Sequence, residues 1–331
     1  MKTIKPKAIK FPVICAILIF LYGCSSKPHK AGYWIDGKID GSISSDFHEQ
    51  NKQFFDYVKT NYQLKLKGIL ANEIINDPHK MVRDIDHIRN ALNKNDYELF
   101  KEIYVVNKWK SVDTVKFADG KSNVMMTYPG IAREMYFAMF LPKNSDNKRM
   151  ITITYANLSY GWRITRLEIA PYSINGKTAP QLYQMAHDAE ANKYYEDAVT
   201  TAGMGIYCAK PNEEWQYDDA GAMLSYSDTL EAAEKKYVKF PLKVSAAGSP
   251  ISIFKVYDQR NDDGIFPAVC YTTKINVKNA AAVQQENLKI QKIIGTVIPG
   301  LDKNKKFLLY SAYNKEPVDA YQEHFDMTEK F

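Results

Sequence analysis

The apolar period of this 331-residue chain changes near Trp109, and no other feature limits its fold as strongly. Before Trp109, apolar residues recur every three or four positions, the mark of amphipathic helices. After it they alternate with polar residues, the mark of half-buried strands. Helices followed by a run of strands predict an α+β domain, with the helices on one face of an antiparallel sheet.

In the helical part, Phe47, Phe54, Phe55, Val58 and Tyr62 share one stripe, and Asp46 to Glu49 has the spacing of a capping box. Asn76-Asp77-Pro78 opens a second helix with proline in its first turn, and Met81, Ile85, Ile88 and Leu92 form its apolar face. Asp96 is placed to cap a third helix through Leu99, Phe100 and Ile103. The strand part begins with a hairpin, 112–118 and 123–128, around the turn pair Asp119-Gly120. Strands at 132–141, 150–155 and 162–170 complete a meander.

The end of that meander carries a resemblance. Ile151-Thr152-Ile153-Thr154, a Ser159-Tyr160-Gly161 turn, then Gly161-Trp162-Arg163-Ile164 and Leu167-Glu168-Ile169 resemble the closing hairpin of nuclear-transport-factor-like cone folds. The resemblance covers residues 45–171. It implies a curved sheet with helices over its concave side. In the enzyme members of such folds, a hydrolase or isomerase acts in the cavity behind the sheet.

Residues 172–237 return to helix. Leu182, Met185, Ala186, Ala189, Ala198, Ala202 and Gly205 suit a helical hairpin with small residues at the crossing, resembling a single tetratricopeptide unit. One unit forms no peptide groove, so this segment is expected to be a connector. Trp215 to Tyr237 adds a further helix. Residues 238–331 alternate again, with turns at Gly248-Ser249-Pro250 and Asp262-Asp263-Gly264 and a helix capped by Asn279. They predict a small β-β-β-α-β domain.

The first residues address the chain elsewhere. Lys2, Lys5, Lys7 and Lys10 precede an apolar run from Phe11 to Tyr22, closed by Gly23-Cys24. The run is too short for a permanent bilayer span, which takes about 20 residues. It has the pattern of a secretory leader, and the small residue before Cys24 resembles a bacterial lipobox. That resemblance implies a leader over 1–23 and a lipid on Cys24, with residues 24–44 as a tether reaching about 25 Å. It points to a lipid-anchored protein of the cell envelope, on the outer membrane and facing the periplasm.

Charge narrows the partners. The 44 basic and 38 acidic residues give +6 in all, and the four leader lysines account for most of it. Nucleic acid, which demands concentrated positive charge, is therefore not an expected partner. Cys208 and Cys270 fall in different predicted domains and are expected to stay unpaired, although an oxidising compartment would permit a bridge.

Candidate chemistry is sparse. Asp258 to Gly264 lacks the ligand spacing of a calcium loop and reads as a hairpin turn. No two of His29, His48, His79, His87, His187 and His324 stand at a zinc-ligand spacing. Asp84 and His87, three apart on a helix, could move a proton if buried. Ile85 and Ile88 define the buried stripe, which puts the pair at the rim instead. There is no serine elbow, phosphate loop or dinucleotide fingerprint. The expectation is an anchored lipoprotein of two α+β domains, with no cofactor, metal or catalytic residue, that binds a small ligand or an envelope protein. The rival expectation is a cone-fold hydrolase or isomerase. A buried carboxylate or histidine in a polar cavity would favour the enzyme, and a cavity filled by apolar side chains would favour binding.

Overall fold

The chain enters on a short strand, β1 (Gly32–Ile35), and a 3-10 turn at Asp36–Lys38. This computed structural model describes residues 30–245, 250–261, 264–319 and 321–331, so Cys24 and the leader lie outside the described residues. Helices α1 (Gly41–Lys59), α2 (Gln63–Ile69), α3 (Asn72–Ile75) and α4 (Pro78–Lys94) follow. Next come β2 (Tyr97–Val106), β3 (Val112–Asp119), β4 (Ser122–Pro129), β5 (Glu134–Pro142), β6 (Arg149–Leu158) and β7 (Gly161–Pro171).

Helix α4 forms as its sequence predicts. The Asp77 carboxylate accepts from the Lys80 amide at 3.0 Å, and Met81, Ile85, Ile88 and Leu92 are buried. Helix α1 starts earlier than expected. Asp40 caps it through the Ser42 amide at 2.9 Å, so Asp46 and Glu49 lie inside the helix and form no capping box. Residues 32–44 are not tether. Gly32–Ile35 pairs with β2, Trp34 packs on Tyr104, and Ile39 is buried. Tyr33-Trp34-Ile35 has strand-forming side chains, and pairing covers the otherwise open edge of β2.

The expected third helix is strand β2. Its residues 101–106 are largely β-branched or aromatic, and a partner strand lies on each side, β1 and β5. The large sheet has the order β1-β2-β5-β6-β7 and is antiparallel throughout.

The β3–β4 hairpin turns at Gly120, whose φ of +60° suits glycine. It leaves the meander, however. With β10 (Trp215–Tyr217) it forms a second sheet, β10-β4-β3. The large sheet is thus covered on both faces. Tyr136, Ala138 and Phe140 of β5 meet the helices, whereas Met135, Phe137 and Met139 meet the small sheet. Phe47 stacks on Tyr136 at 3.9 Å, and Trp215 meets Phe117 and Tyr172 edge-on. Aromatic side chains fill the space behind the sheet.

After β7 come β8 (Ser173–Ile174), β9 (Lys177–Thr178), α5 (Ala179–Ala191), α6 (Tyr195–Tyr207), β10 and α7 (Ala220–Tyr237). The expected helical hairpin is α5 and α6, and Ala186, Ala189, Ala198 and Ala202 pack with Leu230 of α7. It is not a free connector, because Trp215 and Tyr217 belong to the core of the large sheet.

The last domain holds β11 (Leu242–Val244), β12 (Ile251–Asn261), β13 (Gly264–Thr272), α8 (Ala280–Gln291), α9 (Ile294–Val297), β14 (Phe307–Tyr313) and β15 (His324–Lys330). Its sheet order is β11-β12-β13-β14-β15. Strands β13 and β14 are parallel, and a parallel pair needs a crossover, supplied here by α8 and α9. The expected β-β-β-α-β unit gains β15. Phe325 and Met327 are its only apolar residues, and both face inward; two alternating positions are too few to mark a strand in the sequence. The chain is α+β as expected.

Candidate functional site

The β8–β9 tip, Asn175-Gly176, has positive φ at both residues and reaches across to the C-terminal sheet. The Asn175 side-chain amide donates to the Ile265 carbonyl at 2.8 Å, and its carbonyl accepts from the Ile265 amide at 3.4 Å. Asn175 thereby docks one domain on the other.

On one side of this tip lies a cleft of about 630 Å³. Helix α4 contributes His87 and Lys94, the loop before β6 contributes Lys148, and Arg149 begins β6. Tyr207 ends α6, and Arg260 comes from β12. Asn90, Asn95, Asn147, Ser145 and Ser173 add polar side chains to the lining. No carboxylate lies among the described lining residues, although Asp262 and Asp263 follow Asn261 in the chain, outside the described residues.

The two guanidinium groups are held in place. The Arg260 guanidinium sits 3.8 Å from the Tyr207 ring centroid, a cation–π contact that restrains it. Arg149 donates to the Ile169 carbonyl at 3.2 Å. Burial pushes the Tyr97 phenol up to about 12 despite the opposing Arg149 charge, so Tyr97 offers a neutral donor to the cleft. Positive charge in a concave, partly dry wall concentrates field on an incoming anion.

On the other side of the tip lies a smaller cavity of about 360 Å³, between the α5–α6 hairpin and β13. Leu182, Met185, Met204 and Phe266 make it largely apolar, and a buried ion pair, Lys305 to Asp197 at 2.6 Å, closes one end. Its lining charges balance, with Asp146, Asp188 and Asp197 against Lys177, Lys305 and Lys306. The larger cleft is cationic.

Asp84 and His87 do not form a pair. Asp84 is drawn to Lys80 at 2.5 Å and to Arg83 at 3.5 Å. It faces a different cavity from His87, which lines the cationic cleft. Cys208 and Cys270 are both buried and free. Burial pushes their thiols up, to about 12 and about 11. Residues 258–261 and 264 belong to the β12–β13 hairpin, and no cluster among the described residues has the makings of a metal site.

Three polar clusters escape a sequence reading because each joins distant segments. His48 of α1 meets the buried Glu102 carboxylate at 2.7 Å, and the Tyr136 hydroxyl also donates to it. Glu168 of β7 lies against Glu214, with Arg166 bridging Glu213 and Glu214; burial and the Glu214 charge push Glu168 up to about 7. Burial, helped by Glu234 and Asp258, pushes Glu196 of α6 up to about 8.

No family model, curated protein or solved structure matches the chain.

Proposed function

We propose that this chain is a cell-envelope lipoprotein, anchored through Cys24 and facing the periplasm from the outer membrane, that binds an anionic ligand and performs no catalysis of its own. The cationic cleft between the two domains carries the ligand reading. Four basic side chains and His87 line one concavity large enough for a small molecule. The anchor reading rests on the leader pattern and Gly23-Cys24.

The cleft is tested with a compact polyanion, inositol hexakisphosphate, titrated by calorimetry at low and moderate salt. Arg149→Glu and Arg260→Glu should each weaken binding at least tenfold, because each puts a negative charge against the anion. Equal weakening by a reversal at Lys65, an exposed lysine of α2, would show only diffuse attraction and remove the cleft from the reading.

One observation favours the rival class. His48 is half exposed while its partner Glu102 is buried, so Glu102 orients an imidazole that still reaches solvent. A hydrolase or isomerase would use His48 as its base. Turnover in a screen of such substrates, abolished by His48→Ala, would replace the binding reading.

A further inference from the structure

The large sheet has two ends. Tyr97 at the start of β2, Pro142 at the end of β5 and Arg149 at the start of β6 line the cationic cleft. The opposite end receives the N-terminal chain, since Gly32 pairs with Val106. Two loops gather there. The Asn107 amide donates to the Arg133 carbonyl at 2.7 Å, and the Gly130 amide to the Ser111 carbonyl at 2.8 Å.

These loops and the start of β3 present large apolar side chains to water. Trp109 is 71 % exposed, Val112 69 % and Ile131 41 %. Lys108 and Lys110 flank Trp109, and the Lys108 ammonium lies 5.7 Å from the Trp109 ring centroid. Trp34, Trp162 and Trp215 are all better covered. A solvent-facing Trp between lysines, with aliphatic neighbours, has the chemistry of a bilayer interface. The indole suits the headgroup boundary, and the ammonium groups suit lipid phosphates.

We propose that this end is a membrane-contacting surface: Trp109, Val112 and Ile131 enter the interface of a bilayer containing anionic phospholipid, and Lys108 and Lys110 meet its phosphates. The occupant follows from where the chain leaves the domain. Residues 25–31 span about 25 Å at full extension, so an anchor at Cys24 holds Gly32 and the adjoining loops within reach of the bilayer. The proposal rests on the anchor reading for that proximity. A lipid tether alone leaves the domain free to tumble, and a second contact fixes its direction. The ten residues of β2 put the cleft about 30 Å from this surface, facing away from the membrane.

The test uses residues 25–331, which include every contact described above, so that vesicle binding is read without the lipid. Circular dichroism checks that each variant is folded. Vesicles of phosphatidylglycerol and phosphatidylcholine carry brominated acyl chains that quench nearby indoles. The expected result is sedimentation with these vesicles, weak sedimentation with phosphatidylcholine alone, and quenching that Trp109→Ala abolishes. Lys108→Glu with Lys110→Glu should weaken binding at least tenfold. No binding, or quenching that survives Trp109→Ala, overturns the proposal and leaves the patch for a protein partner. Because the lipid is absent, failure of the Cys24 anchor would show separately, as unchanged detergent partitioning of the full chain after Cys24→Ala.

Discussion

Asn175 stands in for a neighbouring strand to Ile265: its side-chain amide donates to the Ile265 carbonyl at 2.8 Å and accepts from the Ile265 amide at 3.4 Å, joining residues 90 positions apart. Removing that side chain strands a partly buried carbonyl. Asn175→Ala should lower stability by about 1–3 kcal/mol, read by urea unfolding, and speed hydrogen exchange at the Ile265 amide. Unchanged exchange there would mean the docking is carried elsewhere.

Gly264 is the complementary position. Its φ is +147°, and a Cβ would lie 1.9 Å from the Asn175 side-chain oxygen. Gly264→Ala therefore forces both backbone strain and displacement of Asn175. A loss on the order of 3 kcal/mol is expected. Asn175→Ala in the same chain should recover part of it, by relieving the clash.

Phe47→Ala removes a ring stacked on Tyr136 and in edge contact with Tyr155 and Trp162. The cost should be about 3–5 kcal/mol, the range for emptying a buried aromatic site. Thermal unfolding measures it. A loss near zero would show that the helices over the sheet repack freely.

Stability should fall as pH rises through neutrality. Burial, with Glu234 and Asp258 nearby, raises the Glu196 carboxyl from 4.5 to about 8 in the folded chain, and Glu168 rises to about 7 beside Glu214. The folded protein therefore holds protons that the unfolded chain has released between about pH 4.5 and 8. Their stabilising share is full below that window and lost above it. Glu196→Gln should flatten the decline and raise the melting temperature at pH 8, whereas at pH 4.5 it should change little. A melting temperature that climbs from pH 5 to pH 8 would contradict both assignments.

Cys24→Ala should move the protein from the detergent phase to the soluble phase, because the acylated sulfur is the proposed anchor. Cys208 and Cys270 should resist alkylation until the fold is opened, then react as two free thiols, since both are buried and burial disfavours the reactive thiolate. Mass mapping of the alkylated positions reads both outcomes.

Legibility in the sequence followed the locality of the signal. Helix α4 was readable because Asp77, Pro78 and the stripe from Met81 to Leu92 lie within one segment. The β3–β4 hairpin was readable from Asp119-Gly120, but its departure from the main sheet was not, since that depends on Trp215 and Tyr217 pairing with β4 from far along the chain. Leu99, Phe100 and Ile103 mimic a helical stripe inside a strand buried on both faces, where alternation is erased. The cleft was invisible for a similar reason. Lys94, Lys148, Arg149 and Arg260 are ordinary basic residues until folding gathers the end of α4, the start of β6 and the end of β12.

Strand β1 also decides how the domain bears load. A pull on the chain ahead of Gly32 that is directed along β1 meets a ladder to Ile103–Val106 lying across that axis. The hydrogen bonds are thus strained together in shear and are not peeled one at a time. Such a joint yields only when the whole strand slides, so force arriving from the N-terminal side is resisted at β1 before it reaches α1 and the aromatic core behind it.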